Sequence, residues 1–247
     1  MDKKKKKRTI IIIICAAVAA VFVMVLANVL PFISMNPAET GRIADTGIIA
    51  VNNGMCNAFL VESSDGYALI DAGVSMGALE KTLAETGVSP SEVKHVFLTH
   101  SDGDHVAALP LFTNAAIYMS EDEAQMIDGR TKRSGNSGNS LPSGTDQNGV
   151  VLLGDAQALN IGGRDIRCVK APGHTPGSMI YIVDDRYLFS GDAFKIEGNA
   201  MDVHPFTMDE ELSRATMQRL HGDITGTELT LTAHYGYFNS PGLVLQR

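Results

Sequence analysis

The segment Thr99-His100-Ser101-Asp102-Gly103-Asp104-His105 places two histidines and two aspartates within six positions, directly after the apolar run Val93–Leu98. Carboxylates this close repel one another unless a cation sits among them. Imidazole and carboxylate are ordinary ligands of zinc and iron, and their alternation lets one loop address more than one ion. The competing reading is an Asp/Gly-rich turn with incidental histidines. Three later residues also follow strand-like runs. They are His174 in Ala171-Pro172-Gly173-His174-Thr175-Pro176-Gly177-Ser178, Asp192 in Ser190-Gly191-Asp192-Ala193, and His234 in Thr232-Ala233-His234-Tyr235-Gly236. Each alone reads as a hydrogen-bonded structural residue or a turn; together they outline a metal centre.

Such a centre needs strands to deliver its loops. Strand patterns are expected over Gly47–Val51, Cys56–Glu62 and Tyr67–Ile70, with turn chemistry at Asn52-Asn53-Gly54 and Ser63-Ser64-Asp65-Gly66. Met76–Thr86 reads as a helix carrying Leu79, Leu83 and Ala84 at helical spacing and stopping at Gly87. A helix is expected near His105, and another over Ser120–Asp128 with Ser120 and Glu123 as a capping box. Arg130–Gly149 is rich in Ser, Gly and Asn and reads as a long loop. Strands are expected at Val150–Leu153, Asp165–Lys170, Met179–Val183, Tyr187–Phe189 and Leu229–Thr232. A helix over Met208–His221 would stack Leu212, Thr216 and Leu220. Strands in blocks, each half ending in helices, suggest an α+β fold of sheets packed together with helices outside.

The order of these motifs resembles the metallo-β-lactamase superfamily, whose signature is H-x-H-x-D-H, then His, Asp and His, after a strand ending in Asp-x-Gly. Here the early strand reads Leu69-Ile70-Asp71-Ala72-Gly73, and the order holds from Asp71 to His234. Ala171–Ala193 is similar to the glyoxalase II and lactonase branches. The resemblance implies a four-layer αββα sandwich and two divalent metal ions, zinc first, with iron or manganese as alternatives. It implies that His100 and His174 bind the first ion, that Asp104, His105 and His234 bind the second, and that Asp192 bridges them. Asp71 would orient a ligand rather than touch metal. The departure is Asp102, where the family usually has His; kept as a ligand, it hardens the first site. Ala107-Ala108 replaces the usual Gly-Gly.

The implied chemistry is hydrolysis of a small ester, lactone, thioester or phosphodiester by a metal-bridged hydroxide, with Asp104 guiding the proton and Asp192 joining the ions. Zinc β-lactamases of the common type place Cys where Asp192 stands, so β-lactam hydrolysis is not expected. Glyoxalase II adds a C-terminal helical domain, and only 13 residues follow His234. Two alternatives come from other classes: a di-iron oxygen or nitric oxide reductase, suggested by a carboxylate at 102, and a non-catalytic metal-binding sensor. Specificity should come from Asn52–Met55, Arg130–Gly149 and Phe194–Pro205, with Phe194, Lys195 and His204 as candidate substrate contacts. His95 and His221 read as structural.

The chain carries a net charge of −8, but residues 31–247 hold 14 Lys/Arg against 27 Asp/Glu. So acidic a domain disfavours nucleic acid and leaves a small molecule as the expected partner. Lys3–Arg8 is wholly basic, and Thr9–Leu30 has no charge over 22 residues. That length spans a hydrocarbon core and keeps the basic flank cytoplasmic. The expectation is a single-pass anchor in the cell membrane over 9–30, after a basic tail over 1–8. A linker over 31–42 and a domain over 43–247, held outside the membrane, would follow. The alternative is secretion after cleavage near Ala27. Cys56 and Cys168 form no disulfide framework and read as buried core residues, with one bridge between them left open.

Overall fold

The computed structural model describes residues 3–133 and 139–246. Met1 and Asp2 of the basic tail, and 134–138 of the candidate loop, lie outside the described residues. The chain divides into two compact units, 1–35 and 36–247. The first is helix α1 (Lys3–Ile33). Its stretch Ile11–Ile33 has a mean hydropathy of 2.8 and is long and apolar enough to cross a membrane. The helix runs three residues further than expected, through Pro31. A proline there removes one intrahelical bond, and the chain leaves the helix within the next turn.

In the second unit, strands β1 (Gly41–Ile43), β2 (Ile48–Asn52), β3 (Asn57–Ser63), β4 (Gly66–Ile70), β5 (Val93–Phe97), β6 (Ala116–Ser120) and β7 (Val150–Leu153) form one sheet in that order. Its first four strands are antiparallel and β4 to β7 are parallel. Between them come helices α2 (Met76–Thr86), α3 (Gly103–Val106) and α4 (Ala124–Ile127). Strands β8 (Gln157–Ile161), β9 (Arg164–Lys170), β10 (Met179–Val183) and β11 (Tyr187–Gly191) begin a second sheet. The chain continues through β12 (Lys195–Glu197), β13 (Ala200–Asp202), α5 (Glu210–Gly226), β14 (Leu229–Thr232), β15 (Gly236–Asn239) and β16 (Val244–Leu245). The second sheet runs β15-β14-β11-β10-β9-β8, and β12, β13 and β16 make a small third one.

Period-two patterning explains the layers. Phe59 and Val61 of β3 face Met179, Tyr181 and Val183 of β10 in the core between the sheets. The alternate residues Ala58 and Leu60 pack outward with Leu79 and Leu83 of α2, while Ile180 and Ile182 pack with Met217, Leu220 and Ile224 of α5. The result is an α/β sandwich with a helix on each outer face. Helix α2 begins at the Ser75 cap and ends at left-handed Gly87, as expected. Within it Ala84 is exposed, and in α5 Leu212 is exposed while Ser213, Thr216, Met217, Leu220 and Ile224 face inward. Thr216 and Leu220 thus face inward as expected, and at the first turn Ser213 takes the inward place expected for Leu212.

Two contacts fasten the sheets beneath the ligand loops. The Tyr181 hydroxyl donates to the Leu98 carbonyl at 2.6 Å, and the Met179 amide donates to the Thr99 carbonyl at 2.8 Å. Cys56 and Cys168 are both buried and free. Burial pushes both thiols up to about 12.

Candidate metal centre

Each expected ligand sits just beyond the C-terminal end of a strand. His100–His105 follow β5, His174 follows β9, Asp192 follows β11 and His234 follows β14. Both sheets therefore contribute. Asp192 lies at the focus. Its Oδ2 is 4.0 Å from Nε2 of His100, 3.5 Å from His105, 3.6 Å from His174 and 3.3 Å from His234. His204 joins them, its Nε2 3.6 Å from the same oxygen.

The donor set fits divalent cations. Nε2 of His100, His105 and His204 and Oδ1 of Asp192 are buried with no hydrogen-bond partner among the described residues. Orphaned lone pairs converging on one carboxylate are costly unless a cation collects them. The groups His100–Asp102–His174, His100–His105–Asp192, Asp104–His105–His234 and His174–Asp192–His204 each bring their ligand atoms within 4.8 Å of one another.

The imidazoles are oriented from behind. Asp71, in a left-handed conformation at φ 59°, accepts from the Thr99 amide and hydroxyl, each at 2.8 Å. It also meets His105 Nδ1 at 2.9 Å. Thr99 Oγ1 in turn lies 3.0 Å from His100 Nδ1, and the Met55 carbonyl lies 2.7 Å from His234 Nδ1. With each Nδ1–H so engaged, the Nε2 lone pairs of these three histidines face the centre. Gly191, at φ 50°, lets the chain turn here; a Cβ at that position would sit 2.3 Å from Thr99 Oγ1.

Glu123 has a different place from the expected capping role. Its buried carboxylate accepts from the Ser101 amide at 2.8 Å, the Ser101 hydroxyl at 2.6 Å and the Thr175 hydroxyl at 2.7 Å. It thus clamps the loop of His100 to the loop of His174. Ser120 still caps its turn, through the Asp122 amide at 3.2 Å.

Asp102 is held by two residues from the Ser/Gly-rich loop. Arg133 Nη2 lies 2.5 Å from its Oδ2, and Asn139 Nδ2 lies 2.8 Å from its Oδ1. Arg133 Nη2 also donates to His174 Nε2 at 3.0 Å, and Nη1 donates to the Phe206 carbonyl. Nothing in the loop's composition singles out Arg133 or Asn139, and the capping pattern gave no sign of the Glu123 contacts. Phe194 is buried in the core beneath α5, and Lys195 pairs with Glu197 at 2.9 Å, so neither is brought into the cluster. His95 lies between Tyr118 and Asp65.

Charge within the centre is strongly coupled. Burial favours the neutral form of Asp192, but His204, His234 and His105 outweigh it and hold the carboxyl far below its usual range. Asp102 is lowered in the same way by His100 and His174, and Asp104 by His105 and His234, against burial. For His234 the nearby Asp192 and Asp104 overcome burial and raise it to about 10, and His105 is raised likewise. Burial prevails at His174, lowered to about 4, and at His204, lowered to about 3.

The sequence profile of the metallo-beta-lactamase superfamily matches residues 51–224, most of the chain. The chain belongs to this superfamily. Among curated superfamily relatives, the "Probable polyketide biosynthesis zinc-dependent hydrolase PksB" of Bacillus subtilis is 27% identical over 177 residues, covering 70% of this chain and 69% of its own. The "Atrochrysone carboxyl ACP thioesterase AgnL7" of Paecilomyces divaricatus is 29% identical over 141 residues, covering 55% of this chain and 38% of its own. A solved metallo-β-lactamase of Cronobacter sakazakii superposes with a TM-score of 0.62 at 19% identity, over 83% of this chain and 81% of that one. That likeness concerns the fold. The superfamily assignment identifies the chain as a metallo-hydrolase type, and its His/Asp clusters suit divalent metal.

Proposed function

We propose that this chain is a dinuclear metal-dependent hydrolase acting on a small ester, lactone, thioester or phosphodiester. The reading rests on one observation: five imidazole Nε2 atoms lie within 4.0 Å of a single Asp192 oxygen. His100, Asp102 and His174 would hold one ion, Asp104, His105 and His234 the other, and Asp192 would face both. Divalent cations held there, zinc first, would lower the pKa of a coordinated water to about 7 and polarise a carbonyl or phosphoryl oxygen.

The chain's own residues supply the rest. Asp104 keeps 29% of its side chain exposed, more than the other carboxylates of the centre, and its Oδ2 lies 3.3 Å from His234 Nε2. It is placed to carry a proton at Oδ2 toward a leaving group. Met55 and Phe206 border the centre through His234 and His204 and are 40% and 36% exposed. They offer apolar surface to an acyl group, where the sequence points to Phe194 as a substrate contact. A thioesterase and a zinc-dependent hydrolase among the relatives make acyl substrates the first to screen. Helix α1 would anchor the chain in a lipid bilayer, its basic end cytoplasmic and the catalytic domain outside.

The test is elemental analysis of the full chain, purified in detergent without added metal or chelator. About two zinc or manganese ions per chain support the hydrolase. Two irons move the reading to redox chemistry, and no metal after reconstitution overturns it. Asp192→Ala should abolish turnover while keeping the fold; full activity in that variant would refute the two-metal mechanism.

A further inference from the structure

We propose that His204 is itself a ligand of the metal centre, binding through Nε2 beside His174 and Asp192. This rests on the dinuclear reading above and deepens it, since the motif order assigns His204 no such part.

His204 follows β13 and is 1% exposed. Its Nε2 is buried without a hydrogen-bond partner and points at Asp192 Oδ2, 3.6 Å away. Its ring meets that of His174 edge-on at 5.0 Å and lies nearly parallel to that of His234 at 5.6 Å. It therefore stands over the carboxylate that the other four imidazoles address. His204, His174 and Asp192 bring one ligand atom each within 4.8 Å of the others, so the three could hold one cation together.

The neighbourhood of Asp102 gives this nitrogen a purpose. Both Asp102 oxygens are already engaged, by Arg133 and Asn139. A carboxylate neutralised by a guanidinium is a poorer donor to a cation. His100 and His174 are then the only nitrogens of the first group, and His204 adds a third. Leaving so deeply buried an imidazole nitrogen unpartnered would cost free energy, and coordination removes that cost. The Phe206 amide donates a long hydrogen bond of 3.5 Å to His204 Nδ1, so binding through Nε2 would move the ring proton to Nδ1 and give up that bond.

The experiment compares wild type with His204→Ala and His204→Cys in the full chain, in detergent, loaded with Co(II) and with Zn(II). The expected result for His204→Ala is an affinity for one of the two ions at least tenfold weaker and a changed Co(II) ligand-field spectrum. His204→Cys should restore stoichiometry and add a thiolate-to-Co(II) charge-transfer band, which a packing role cannot produce. Unaltered affinity and spectrum in His204→Ala, or folded His204→Cys without a thiolate band, overturns the proposal while leaving the dinuclear reading standing. A wild-type chain that binds no metal overturns both.

Discussion

Arg133 and Asp102 form a forked ion pair at the mouth of the centre, with Nη2–Oδ2 at 2.5 Å and Nε–Oδ1 at 3.4 Å. The same Nη2 lies 3.0 Å from His174 Nε2. One lone pair cannot accept a guanidinium proton and bind a cation together, so Arg133 would compete with a metal at His174. Arg133→Gln should tighten zinc binding at the weaker position roughly tenfold, the scale of one charge-assisted hydrogen bond. Chelator competition on the two proteins measures it; equal or weaker binding in the variant would refute the competition.

Asp71 contacts His105 directly and reaches His100 through Thr99. Asp71→Ala frees both rings to turn. Metal affinity should fall by about 10–100-fold, the usual cost of losing such a partner. The same titration reads it, with circular dichroism to establish that the variant folds.

Gly177 packs against the backbone at Glu123, where a Cβ would sit 2.1 Å from the Glu123 nitrogen. No side chain can yield at such a contact. Gly177→Ala should destabilise by about 1–3 kcal/mol and lower the melting temperature by several degrees. It should also loosen zinc, because the Glu123 clamp ties the loops of His100 and His174. An unchanged melting temperature would contradict the close approach.

The metal-free protein should have a stability maximum near pH 6.5. His174, lowered to about 4, binds its proton in the unfolded chain before the folded one, so stability rises with pH between about 4 and 6.5. His234, raised to about 10, does the reverse, and its contribution fades from about pH 6.5 to 10. Thermal melts in chelator across this range should rise and then fall. Zinc should flatten the alkaline limb, since the cation replaces the proton on His234. A monotonic profile in chelator would contradict these opposed shifts.

The ligand motifs and the strands before them were legible because each pairs a short apolar run with an abrupt polar turn. Val150–Leu153, Met179–Val183 and Leu229–Thr232 coincide with expectation. The strands Ala116–Ser120 and Gln157–Ile161 were not expected. In the latter burial alternates, but Gln157 lies on the inner face and Ala158 on the exposed one, so polarity does not trace the alternation. Arg133, Asn139 and Glu123 were hidden for another reason: their partners are 22 to 73 residues away, and no local spacing encodes such a contact. His204 stood among the candidate residues as a substrate contact, because a lone histidine in a loop carries no sign of burial.

The candidate ligands are divided between two sheets, His100–His105 on one and His174, Asp192 and His234 on the other. A chain released only as far as β13 lacks His234, and an unfolded complete chain holds these groups far apart. A cation held there would be captured only once both halves have folded, and would staple them together. Its identity would then be set by the surroundings in which the sandwich closes, and not by those in which the polypeptide is made.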